Sequence, residues 1–208
     1  MENFVITIGR CFGSGGRALG KILSQKLGVP FYDKELLLDA AKKAGMSAEF
    51  FERNDERVPQ FLSGIIPFSF GMNPMPWYVG TSSISDDSLY KVQSEFINDL
   101  ASSQSCIIVG RSADYVLRAH PGLISVFITA PLDACVNRII ERHECAGRQE
   151  AEQMAVRVNR LRANYYNFYT DKTWGDDASY DMCLDSSKLA LEEIADIIIA
   201  YLNKRMAK

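Results

Sequence analysis

A chain of 208 residues, 47% hydrophobic and 24% charged, can bury one good core and fits a single α/β domain with insertions, which excludes a disordered polymer. Its formal charge of -3 and pI near 5.5 give no general attraction to nucleic acid or to an anionic membrane, so an anion site has to be a local arginine cluster. The five scattered cysteines make no CxxC pair and have only His120 and His143 for company, and no apolar run nears the roughly 18 to 20 residues that span a bilayer; a reduced, cytoplasmic protein without zinc or disulfides is expected.

In chain order, Phe4 to Ile8 is a short β-branched run bounded by Gly9, the pattern of a buried parallel strand. The turn Gly13-Ser14-Gly15-Gly16 follows, and Arg17 to Leu27 carries Leu19, Ile22, Leu23 and Leu27 at helical spacing. Val29 to Asp33 reads as a brief second strand ending in a carboxylate, and Lys34 to Lys43 resumes a helical pattern. Pro59 to Pro76 is aromatic and rich in Gly, Pro and Ser, which predicts a loop packed over a site or a partner. Ser85-Asp86-Asp87 caps a helix with Leu89, Val92, Phe96, Ile97 and Leu100 on one face. Cys106 to Val109 and Leu123 to Ile128 read as interior strands around a helix-like stretch from Ser112 to Arg118. After Pro131 come two long polar helices, a last strand from Tyr180 to Leu184, and a closing helix striped with Leu191, Ile194, Ile198, Tyr201 and Leu202. No repeat or linker divides the chain, so a single domain is expected over residues 1–208.

A strand, a glycine-rich turn and a helix N-terminus aim several backbone N–H groups and the positive end of a helix dipole at one point, where phosphate is the natural guest. The standard P-loop is G-x-x-x-x-G-K-S/T. Aligned on Gly16, its first glycine is Cys11, its lysine is Arg17, and the hydroxyl residue that would ligate magnesium is Ala18. Arginine keeps the charge but grips phosphate as a planar fork. The same residues also satisfy the dinucleotide fingerprint G-x-G-x-x-G/A, with Asp33 about 20 residues beyond the first glycine. That alternative calls for a further strand soon after Asp33, where residues 34 to 104 look helical and loop-like instead.

Three stretches, ITIGRCFGSGGRALGKILSQKLGVPFYDKELL, CIIVGRSADYVL and RANYYNFYTDKTWGDDASYDMCLDSS, resemble the cytidylate kinase-like family of P-loop nucleoside monophosphate kinases over nearly the whole length. The resemblance implies a three-layer α/β/α fold with a central parallel sheet. It also implies a helical acceptor-binding insert at about residues 34–104 and a lid at about 142–162, with the core at about 1–33 and 105–208. ATP would bind on Gly13, Ser14, Gly15, Gly16, Arg17 and Ala18, with Mg2+ assisting and its protein ligands not identified. The acceptor monophosphate would lie near the segment after Asp33 and near Arg111. In true cytidylate kinases the strand before the matching Gly-Arg pair ends in an aspartate, where this chain has Val109; the next carboxylate is Asp114. The lid's arginine, aspartate, arginine pattern survives in Asn159 and Arg162, with asparagine for aspartate.

Phosphoryl transfer asks for alignment and for positive charge around the moving oxygens. Arg17, Arg138 and Arg162 are therefore the expected catalytic cations, and Asp33, Arg111 and Arg142 the expected substrate contacts. Arg138 and Arg142, four apart, could equally pair with Glu141, Glu150 or Glu152 on the surface. Asp33 could cap the next helix instead of holding a sugar. Tyr165, Tyr166, Phe168, Tyr169 and Trp174 are expected in the core, not as a base-stacking platform. The stretch with Phe68, Phe70, Met72, Met75 and Trp77 serves either as a pocket wall or as the surface of a homodimer; the sequence leaves both open. The expected partners are nucleotides, not nucleic acid or membrane. Cys11, Ala18, Val109 and Asn159 keep a second reading alive: a nucleotide-binding module of the same fold without turnover.

Overall fold

A computed structural model describes residues 3–37 and 86–207. The expected helix beyond residue 37 and the aromatic segment 59–76 lie outside the described residues. Among them the elements run β1 (Val5–Arg10), α1 (Gly16–Leu27), β2 (Phe31–Tyr32), α2 (Asp86–Ser103), β3 (Cys106–Val109), α3 (Ala113–Val116), β4 (Leu123–Thr129), α4 (Leu132–Glu141), α5 (Arg148–Tyr169), β5 (Met182–Asp185) and α6 (Leu191–Met206).

The five strands form one parallel sheet in the order β2-β3-β1-β4-β5. Alternation of side chains along each strand divides its residues between two layers of core. Ile6 and Ile8 of β1 and Ile107 and Val109 of β3 face α1 and α6, where they join Leu19, Leu23, Ile194 and Ile198. Val5, Cys106 and Ile108 face the other way onto Phe96, Ile97 and Leu117. Burial on both faces explains why the interior strands read as continuous apolar runs. Helices thus cover both faces, giving the expected three-layer α/β/α architecture. In a dinucleotide-binding half, the strand that follows the first helix lies directly beside β1. Here β3 separates the two, so the sheet does not carry the dinucleotide alternative.

Some boundaries differ from expectation. β1 runs on to Arg10, because Gly9 and Arg10 stay in register with Phe127 and Ile128 of β4. The last strand starts at Met182, not Tyr180. The reason is local: the Asp181 carboxylate accepts from both the N–H and the hydroxyl of Ser125, a side-chain clamp just ahead of the first ladder pair. Tyr180 instead joins Phe127 and Tyr166 in a small aromatic cluster. No helix among the described residues is long and apolar enough to cross a membrane.

Candidate active site

The glycine turn joins β1 to α1. Gly13 and Gly15 have φ of +85° and +86°, conformations that glycine adopts without the penalty of a Cβ. A Cβ on Gly13 would also lie 2.7 Å from the carbonyl oxygen of Cys135. The turn is anchored from several sides. The N–H of Phe12 donates to Asn159 Oδ1 at 2.7 Å, the Ser14 hydroxyl donates to the Cys11 carbonyl at 2.9 Å, and Arg162 Nη1 donates to the Arg10 carbonyl at 3.0 Å. The first N–H groups of α1, at Gly16, Arg17 and Ala18, have no acceptor within the helix and are free for an anion at the helix N-terminus.

Beside the turn is a cavity of about 90 Å3, lined by residues that include Arg10, Lys34, Gly110, Arg111, Asp114, Arg162 and Tyr165. The sheet builds it. β1 and β3 pair with Ile8 opposite Val109, so both chains leave the sheet at one end and deliver Arg10 and Arg111 to one place. Gly110, Arg111 and Ser112 then take positive φ in succession, +80°, +62° and +49°. For the two non-glycine residues this is strain of order 1–3 kcal/mol each, of the kind that clusters at binding sites. Arg111 Nε is fully covered and has no hydrogen-bond partner among the described residues.

The electrostatics are one-sided. Burial lowers the guanidinium of Arg10 well below its ordinary value, and repulsion from Arg162 and Arg111 lowers it further. Burial lowers Arg111 as well, takes Arg162 down to about 10, and lowers Lys34 together with Arg111. Asp114 does not balance these cations: burial raises its pKa, and its Oδ2 accepts the Tyr166 hydroxyl at 2.6 Å. Asp33 offsets part of the charge on Arg10 but is itself paired with Arg17, so guanidinium charge is in excess. Such a cluster forms a site for a multiply charged oxyanion, since arginine forks match phosphate oxygens in pairs.

The predicted residues separate into two groups. Arg111 and Arg162 meet at this cavity, joined by Arg10 and Lys34, which sequence reasoning had passed over. Arg17 does not line it and is held instead with Nε 2.7 Å from Asp33 Oδ2 and Nη2 3.5 Å from Glu35. Asp33 caps the helix that follows through the Leu36 N–H at 3.1 Å. Its own burial opposes ionisation, but the Leu36 bond and Arg17 outweigh it and hold its pKa low. Arg138 brackets two loops: it donates to the hydroxyl and carbonyl of Ser186 at 2.9 and 2.7 Å, and that hydroxyl donates on to the Ser14 carbonyl at 2.6 Å. Arg142 pairs with Glu144 at 2.9 Å on the surface. Of the aromatic set, Tyr166 is core, Tyr165 lines the cavity, Tyr169 stacks on Tyr90 at 4.2 Å and Phe168 is exposed.

A magnesium ion held by the protein needs hard oxygen donors. Ala18 has none, Val109 is apolar and buried, and Asp114 is engaged by Tyr166. The described residues contain no group of three or more His, Cys, Asp or Glu side chains that could hold a metal. These side chains therefore do not fit a protein-held magnesium; the charge at the site is arginine charge. The glycine cradle and the start of α1, by contrast, fit a nucleotide's phosphate chain.

A parallel sheet of this order with a glycine turn between its central strand and α1 defines the P-loop kinase fold. Shikimate kinase from Acinetobacter baumannii, solved with shikimate, shares that fold at a TM-score of 0.51 and 14% identity, with 99% of this chain and 96% of that one covered. Within the fold, the chain belongs to the cytidylate kinase-like family, whose model matches residues 5–188. It is 25% identical over 203 residues to the cytidylate kinase of Methanobrevibacter smithii, with 95% of this chain and 98% of the relative covered. A crystal structure of an uncharacterized protein from Eubacterium ventriosum is similar at a TM-score of 0.71 and 28% identity, covering 97% of this chain and 99% of that one.

Proposed function

We propose that the protein transfers the γ-phosphoryl group of ATP to a nucleoside monophosphate, with CMP as the first acceptor to test. An oxygen of the acceptor phosphate forms a bond to the γ-phosphorus as the bond to the β,γ-bridging oxygen breaks, giving ADP and a nucleoside diphosphate. The observation that carries this reading is the convergence of Arg10, Arg111 and Arg162 beside the glycine turn, where charge on the transferring group has to be held. Membership of the family and the name of the Methanobrevibacter smithii relative support it. In this reading Gly13 to Ala18 take the donor phosphates, and Asp33 and Arg111 border the acceptor. Residues 34–104 form the acceptor segment, and about 142–162 form a lid that excludes water.

A second reading, nucleotide binding without turnover, is favoured by the missing oxygen donors at Ala18 and Val109. A coupled assay with ATP and a panel of monophosphates, with and without Mg2+, run alongside calorimetry, separates the two. Turnover of at least one monophosphate is expected. ATP binding with no turnover on any acceptor would sink the kinase reading and leave the second.

A further inference from the structure

We propose that Arg10 supplies the cation that a P-loop lysine would supply, reaching the phosphates from the end of β1 instead of from the start of α1. The proposal rests on the phosphoryl-transfer reading of this site and goes beyond it by naming the group that replaces the lysine.

The argument begins with which glycines the backbone needs. The P-loop's last glycine stands immediately before the residue that opens the helix. Gly15 is that residue here: its φ is +86°, and α1 opens at Gly16. Gly16 itself is helical, so its φ does not demand glycine. Placed on Gly15, the pattern puts its first glycine at Arg10, its lysine at Gly16 and its hydroxyl residue at Arg17. Arg17 is then not the lysine's counterpart, which agrees with its pairing to Asp33 and Glu35.

Gly16 is a glycine for a different reason. A Cβ there would sit 2.6 Å from Arg10 Cβ and 3.0 Å from Arg10 Cγ. Positions 10 and 16 therefore cannot both carry long side chains. A standard loop puts glycine first and lysine later; this chain reverses the two. The stem of Arg10 crosses the space beside Gly16 and its guanidinium continues to the end of β3, where a Cβ on Gly110 would meet Arg10 Nη1. Gly110 is favoured by its φ of +80°, and the Arg10 guanidinium occupies the space its missing side chain leaves. That guanidinium ends near Arg111 and Arg162, with Asp33 offsetting part of its charge, in the cavity that Lys34 also lines. Arg162 holds the Arg10 carbonyl at 3.0 Å, which fixes the residue at its backbone as well.

The test uses the full chain and two readouts besides turnover: calorimetry with inorganic tripolyphosphate and thermal unfolding. Arg10→Gln keeps most of the stem and removes the charge. It should fold and bind tripolyphosphate about 10- to 100-fold more weakly, the range expected for losing one charge-assisted contact. Gly16→Lys should lower Tm because its side chain meets Arg10, and the double variant Arg10→Gly with Gly16→Lys should recover both Tm and affinity. Undiminished tripolyphosphate binding by Arg10→Gln overturns the proposal. So does equal tolerance of Gly16→Lys in the presence and absence of Arg10. If the parent chain binds tripolyphosphate through Arg10 yet turns over no monophosphate, the proposal holds and the kinase reading falls. If it turns over normally with Arg10→Gln, the reverse is true.

Discussion

Gly13 and Gly28 make a matched pair for testing how tightly the phosphate turn is built. Both have positive φ, +85° and +66°, so alanine at either site pays the left-handed penalty of about 1–2 kcal/mol. They differ in surroundings. A Cβ on Gly28, at the C-cap of α1, meets nothing within 4 Å, whereas on Gly13 it meets the Cys135 carbonyl oxygen, Cβ and Cα at 2.7, 2.8 and 2.9 Å. Two of those atoms are backbone at the start of α4 and cannot swing aside, so overpacking adds about 1–3 kcal/mol. At about 2–4 °C per kcal/mol for a chain of this size, Gly28→Ala should lower Tm by roughly 2–8 °C and Gly13→Ala by roughly 4–20 °C. Calorimetric unfolding of the two variants side by side isolates the contact, because the φ term is common to both. Equal losses would refute the close approach of the turn to α4. A milder loss at Gly13 than at Gly28 would refute the turn's geometry altogether.

Two further outcomes follow from the site's neighbours. Burial raises the Asp114 pKa, so its contribution to stability is full below its unfolded value near 4 and is lost as pH rises through the folded value; the stability margin of the parent over Asp114→Asn should therefore shrink as pH rises from about 4, in urea titrations at several pH values. A margin that grows with pH would show a carboxylate stabilised in the fold. Arg138→Met should cost about 1–3 kcal/mol and weaken ATP binding, since the Ser186 bridge to the Ser14 carbonyl loses its anchor. A fall in kcat with unchanged ATP affinity would instead return Arg138 to the catalytic role that its sequence position suggests.

Much of the scaffold is visible in the residue pattern. Cys106 to Val109 is apolar at every position because both faces of β3 are covered, and its boundaries in the fold match those read from the pattern. The stripe Leu191, Ile194, Ile198 and Leu202 places α6 on the sheet for the same reason. What the pattern hides is direction. Arg17 and Arg10 flank one turn with the same charge, and only the folded chain shows which of them reaches the cavity: Arg10 lines it, while Arg17 pairs with Asp33 and Glu35. Arg138 reads as a catalytic or surface cation until Ser186, 48 residues away, is seen to accept from it. Lys34 carries no motif at all and enters through the position of β2. A usable signal for Arg10 did exist: it directly follows the apolar run of β1, at the carboxyl end of a parallel strand, where ligands of open α/β sheets bind.

The arrangement follows from sheet order more than from any single motif. Because β3 lies between β2 and β1 and all three run parallel, the residues that follow their carboxyl ends must share one rim: Asp33 and Lys34 after β2, Arg111 after β3, and Arg10 at the end of β1. Four charged residues from three separate parts of the sequence meet without a binding loop dedicated to any of them. Three are cations; burial strips hydration from each, and repulsion from neighbouring arginines adds to it for Arg10 and Lys34, a cost the fold carries until an anion arrives. Arginine suits that duty because its high intrinsic pKa keeps it charged under desolvation that would neutralise lysine. The exchange of lysine for glycine at position 16 and of glycine for arginine at position 10 is thus one change in two places. It moves the loop's charge onto the strand rim, beside the two arginines already there, and leaves α1 to contribute backbone amides alone.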